Sequence, residues 1–134
     1  MQVGEQLPAR SYRVTRLDLI RYAGASCDFN PIHWNERFAE KVGLPGVIAH
    51  GMFTMALAGR AVTEWAGAAD AVVDFTVRFT RPVVVPDDDS GTEVVFAAVV
   101  KQIGEDGLAH LELSATCNGE KVLAQARAVV RTTG

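Results

Sequence analysis

Residues 51–65 read GMFTMALAGRAVTEW and carry no charge before Arg60. A helix that is apolar on every side is buried on every side. The stretch is too short to cross a bilayer, so the pattern predicts a central helix wrapped by the rest of the chain. Four strand-like runs follow it. Over 74–80, Phe75, Val77 and Phe79 alternate with Thr76, Arg78 and Thr80, the period of a half-buried strand. Residues 82–91 read as a loop and the Val-rich 92–102 as a long strand. GEDG at 104–107 is a turn. Leu111, Leu113, Ala115 and Cys117 alternate with His110, Glu112, Ser114 and Thr116. Asn118-Gly119 is a favoured hairpin dipeptide. Val122, Ala124, Ala126, Ala128 and Val130 then make the expected inner face, against Leu123, Gln125, Arg127, Val129 and Arg131. An antiparallel meander with one buried face accounts for this half.

The first half reads as loop and helix. Residues 11–14 fit a short strand. Thr15 is a predicted N-cap, with Asp18 three residues on as a weaker capping-box partner. Leu17, Ile20 and Ala23 follow at helical spacing, and Gly24 marks the expected end. A second helix is expected over 31–42, closed by Gly43, before a loop over 43–46 that contains Pro45. Together these elements predict one α+β domain over 1–134. An antiparallel sheet is wrapped around a buried central helix, the hot-dog arrangement.

Composition narrows the chemistry. The chain has 134 residues, a net charge of −3 and 22% charged residues, with a sequence pI near 5.5. Basic residues are scattered, so there is no basic face for nucleic acid. Asp87, Asp88 and Asp89 read as a solvated loop. Residues 42–59 are nearly uncharged, but Pro45, glycines and His50 break them, so no membrane span is expected. With no leader and two distant cysteines, Cys27 and Cys117, the simplest setting is a reducing cytoplasm with free thiols. Cys27 reads as a small buried hydrophobe rather than a nucleophile. His33, His50 and His110 form no metal-binding motif, and neither a metal nor another cofactor is expected. His110 falls on the polar face of its strand.

The candidate chemistry lies in Asp28-Phe29-Asn30-Pro31-Ile32-His33. Five steps along a helix rotate by about 140°, so Asp28 and His33 converge only if the chain bends between them. Pro31 supplies the bend by keeping Asn30 out of helical geometry. Asn30 then suits an N-cap, Pro31 the first helical position and His33 the third. The positive end of the helix favours a neutral imidazole there, as a general base requires. A capping Asp28 with a buried, inert His33 fits these residues equally well. A second segment, His50-Gly51-Met52, opens the apolar helix. Its first N–H groups have no partner inside the helix, and Gly51 lets a ligand oxygen approach closely. A carbonyl gaining negative charge would be stabilised there, although Gly51 could equally serve only the tight turn. His50 is expected to pack under this turn without a catalytic role.

DFNPIH at 28–33, with His50-Gly51-Met52 seventeen residues after His33, resembles the hydratase signature of the MaoC-like family. That family holds (R)-specific enoyl-CoA hydratases and (3R)-hydroxyacyl-ACP dehydratases. Asn-Pro-Ile-His-Trp (30–34), Ile-Ala-His-Gly-Met (48–52) and Val-Arg-Phe-Thr (77–80) are most similar to the catalytic B-type subunits of the dehydratase used in mycolic-acid elongation. The resemblance implies a hot-dog fold and reversible syn addition of water to a trans-2-enoyl thioester carried on ACP or CoA. Asp28 and His33 would hold the water, and the Gly51 N–H would polarise the thioester carbonyl. Some (R)-hydratases have a serine in the central helix that holds the catalytic aspartate. Gly59 stands at that position here, which leaves Asn30 as the candidate to orient Asp28.

Two other readings compete, an acyl-thioester hydrolase and a non-catalytic acyl-binding subunit. The presence of both Asp28 and His33 favours the catalytic reading. An exposed sheet edge favours pairing, as a homodimer or with a related hot-dog subunit. Arg10, Arg13, Lys41, Arg60 and Arg81 are basic residues that could meet an acidic carrier protein.

Overall fold

A computed structural model describes residues 1–132. Strand β1 (Gln6–Val14) leads into helix α1 (Arg16–Ser26), a 3-10 turn (Pro31–His33) and helix α2 (Glu36–Lys41). Helix α3 (Gly51–Ala66) follows, then a 3-10 turn (Ala69–Ala71) and strands β2 (Val72–Phe79), β3 (Thr92–Ile103), β4 (Leu108–Cys117) and β5 (Glu120–Arg131). All neighbouring strands are antiparallel, in the order β1-β3-β4-β5-β2. The sheet lays one face against α3. Phe96, Val94, Val100, Leu111 and Val130 from the sheet are buried with Ala58, Ala61 and Val62 from the helix. This is the α+β hot-dog architecture expected from the apolar helix and the alternating strands.

The local signals explain most boundaries. The Thr15 side chain accepts from the Asp18 N–H, and the Asp18 carboxylate accepts from the Thr15 N–H at 2.8 Å, a reciprocal capping box. Helix α1 runs two residues past Gly24 and ends at Cys27, which adopts a left-handed conformation (φ 59°). Asn118 and Gly119 both have positive φ, as a tight type I′ hairpin requires.

Five expectations need correction. β1 starts at Gln6, not at residue 11; a bulge between Leu7 and Arg10, around Pro8, hides its period. The helix expected over 31–42 is broken, because Asn35 caps a separate helix by accepting from the Phe38 N–H at 3.0 Å. On β5, Leu123 is buried while Ala124 is half-buried. Gln125 at φ 47° inserts an extra residue and switches the face. α3 is not wrapped on all sides: Met52, Ala56 and Arg60, one turn apart, form an exposed stripe. Cys27 is exposed, not buried. His110 is exposed, as its strand period implies.

Candidate functional site

Three segments converge where α3 begins. The first is the loop after α1. The Asp28 N–H donates to Ser26 Oγ at 3.3 Å, and its carboxylate accepts from the Asn30 N–H at 3.2 Å. Trp34 Nε1–H donates to the Phe29 carbonyl at 2.9 Å and ties the loop down from the far side. The second segment is the 3-10 turn. Asn30 caps it through its side-chain oxygen, which accepts from the Ile32 N–H at 3.3 Å, and Pro31 takes its first position. Asn30 thus caps as expected, but it meets Asp28 through its backbone N–H, not its amide. Arg16 anchors the surroundings: it donates to the Val85 carbonyl at 2.6 Å and pairs with Glu36.

His33 is buried, at 7% exposure, and its Nδ1–H donates to the Ile48 carbonyl at 2.7 Å. A carbonyl can only accept, so in the neutral ring the other nitrogen, Nε2, carries the free lone pair. That is the form a general base needs. The placement comes from a 3-10 turn and a main-chain acceptor, not from the third position of a long helix.

The third segment is the start of α3. His50 is its N-cap residue but makes no side-chain cap bond. The His50 carbonyl accepts from Phe53 and Thr54. Among the described residues nothing accepts from the Gly51 N–H. Gly51 and His33 line the same cavity of about 300 Å³, with Thr54, Phe79, Val83 and Val122. Asp28 and Asn30 are not among its lining residues. Asp28 is exposed beside it, with its carboxylate within 4.8 Å of ring nitrogens of His33 and His50. A larger depression of about 480 Å³ lies on the outer face of the sheet, lined by Lys101, Glu112 and Arg127 among others. Its charged residues are exposed, and it lacks a buried acid–base pair.

His50 is the residue that the sequence reading undervalued. It is 2% exposed and stacks on His33, with ring centroids 3.8 Å apart and planes 23° apart. Its Nε2–H donates to the Asp28 carbonyl at 3.1 Å. Burial, above all, pushes its pKa below the ordinary histidine value, and His33 pushes in the same direction. Its place directly before Gly51 was the one available signal. Asp28, His33 and His50 could also be considered as donors to a divalent ion. Lone pairs lie in the ring planes, however, and two nearly parallel stacked rings aim them side by side instead of at one point.

Gly59 meets only Phe75: a Cβ there would sit 3.6 Å from its ring. Of the scattered cations, Arg10 and Arg60 both pair with Glu64. Arg81 pairs with Glu120 and also lines the His33 cavity.

A sheet folded over one central helix, with an acid and an imidazole beside the helix N-terminus, defines a hot-dog protein with a candidate acid–base site. The chain belongs to the MaoC-like family: the family model described as MaoC like domain matches residues 1–116. It is similar to a 3-hydroxyacyl-thioester dehydratase X of Mycobacterium tuberculosis, 44% identical over 79 residues. That match takes in 59% of this chain and 27% of the relative. It is similar also to a 3-hydroxybutyryl-CoA dehydratase of Methylorubrum extorquens, 29% identical over 120 residues, or 88% of this chain and 73% of the relative. A solved structure described as a MaoC-like dehydratase superposes with a TM-score of 0.95 at 36% identity, covering 99% of this chain and 41% of that one. The chain therefore spans about a quarter of the first relative and well under half of the solved chain.

Proposed function

We propose that residues 1–134 form one hot-dog domain that adds water reversibly to trans-2-enoyl thioesters, giving (3R)-3-hydroxyacyl thioesters. The observation that carries this reading is the Nδ1–H bond from His33 to Ile48, which leaves Nε2 basic beside the Asp28 carboxylate. The relatives described above, dehydratases of 3-hydroxyacyl substrates, support the same class.

Asp28 and His33 hold one water between them. In hydration its oxygen bonds to C3, and a proton is delivered to C2 on the same face. Electron density passes through an enolate, whose oxygen sits at the Gly51 N–H. In dehydration the same groups run backwards. Each acid–base group contributes about 10²–10⁴-fold, and an oxyanion donor about 10²–10³-fold. The acyl chain is an ACP or CoA thioester. The cavity beside Gly51 takes the carbonyl, and Arg81, which lines the same cavity, is the cation beside it.

The active form is a pair of hot dogs, either two copies or this chain with a related subunit. The unpaired outer edges of the sheet and the exposed Met52–Arg60 side of α3 support this. No described helix is long and apolar enough to cross a membrane, and a cytoplasmic setting suits Cys27 and Cys117 as free thiols.

The test is hydration of crotonyl and longer trans-2-enoyl thioesters, with chiral analysis of the product and a control dialysed against EDTA. A (3R) product that persists after dialysis is expected. A (3S) product, or free thiol released without hydration, would overturn the reading.

A further inference from the structure

We propose that His50 is a positioning residue, whose ring fixes the backbone of Asp28 and the plane of His33. The proposal rests on the hydratase reading above. His50 sits where α1, the Asp28 loop, the 3-10 turn and α3 meet. Its Nε2–H holds the Asp28 carbonyl at 3.1 Å. Its face lies on His33 at 3.8 Å. The Tyr22 ring is 4.7 Å away, inclined by 60°.

Simple filling does not explain this residue. His50 is buried, and its Nδ1 has no hydrogen-bond partner among the described residues. A buried, unpaired acceptor is costly, and a phenyl ring would fill the space without that cost. What a phenyl ring lacks is the Nε2–H. Asp28 is exposed, and its carboxylate has one hydrogen bond, from the Asn30 N–H. Its location therefore depends on how its own main chain is tied, and His50 makes one of the two ties there, at the carbonyl, with Ser26 Oγ at the N–H. The stack adds a second constraint. His33 is thus held at one ring nitrogen by Ile48 and on one face by His50.

Three variants test this, His50→Phe, His50→Gln and His50→Asn, each in the full chain. The Gln amide nitrogen reaches the place of Nε2, and the Asn nitrogen only that of Nδ1. Loss of the tie should lower kcat by about 10²-fold in the Phe and Asn variants and by less than about tenfold in the Gln variant. KM should stay near the wild-type value in all three. Wild-type kcat in a folded Phe variant, or a Gln variant no better than Asn, would overturn the proposal. If the Phe variant does not fold, the Gln–Asn comparison decides alone. Should the wild-type protein not turn over enoyl thioesters, the hydratase reading falls separately and amide NMR decides. The N–H resonance of Phe29, which shares a peptide group with the Asp28 carbonyl, should then differ between His50→Gln and His50→Asn, and an identical resonance in both would overturn the tie.

Discussion

A Cβ built on Gly51 stands 3.3 Å from the ring of Phe79, closer than side chains ordinarily pack. Both residues line the cavity that His33 borders. The glycine therefore keeps open the space in front of its own N–H. Phe79 is 49% exposed and can yield, so Gly51→Ala should fold normally. Its methyl group should nevertheless obstruct the carbonyl. Steady-state kinetics should show kcat/KM lower by about 10²-fold, in the range for loss of one oxyanion donor, with the melting temperature little changed.

Asp28→Asn and His33→Ala should each lower kcat by about 10²–10⁴-fold. Asn keeps the Asx turn to the Asn30 N–H but lacks the charge. Groups that act on one water are strongly non-additive, so the double variant should be little worse than the poorer single one. Hydration rates of the three proteins, with circular dichroism to confirm folding, decide this. Near-normal turnover in folded His33→Ala would reduce the site to a capped turn.

The capping box and the hairpin turns were legible because each is written within four residues: Thr15 with Asp18, and Asn118 with Gly119. DFNPIH was legible for the same reason. The rest depended on partners far along the chain. The acceptor for His33, Ile48, is 15 residues away, and the Asp28 carbonyl that His50 holds is 22 away. No periodicity encodes either bond. The positive φ of Gln125, which turns Leu123 inward, has no glycine or asparagine to announce it. Pro8 and its bulge concealed the first half of β1 in the same way.

Thr15→Ala removes the oxygen that caps α1 without touching the site. Urea unfolding should show a loss of about 1 kcal/mol, with hydration kinetics unchanged. A loss of activity at full stability would show that α1 is coupled to the site in a manner the capping geometry does not explain.

Thiol chemistry separates the two cysteines. Cys27 is exposed, whereas Cys117 is buried against Thr92 Oγ1 at 3.2 Å. Ellman's reagent should titrate one thiol per folded chain and two in denaturant. Neither cysteine lies in the cavity, so the Cys27→Ser protein should retain its hydration rate. Rapid reaction of both thiols in the native protein would contradict the burial of Cys117.

His50 also gives stability a pH dependence. Its folded pKa lies below the ordinary value of 6.5, chiefly because it is buried. The unfolded chain therefore binds the proton more readily. Above about pH 6.5 the ring is neutral in both states and its contribution is full. As pH falls below that value the unfolded state gains protons first, and stability declines until the folded pKa is passed. Urea midpoints from pH 8 to 5 should fall more steeply for the wild type than for His50→Gln. Parallel curves would mean that His50 titrates normally.

The two margins of the sheet differ in what they leave open. On β1, Pro8 has no N–H to offer, and its carbonyl already accepts from Trp65 Nε1 at 2.8 Å. At that one residue the margin is closed by the chain itself. The β2 margin carries no proline. If two such sheets join through β2, the proline-bearing β1 margins are left outermost. The proline that hid a strand from its own sequence pattern thus makes the two margins unequal as surfaces for another strand.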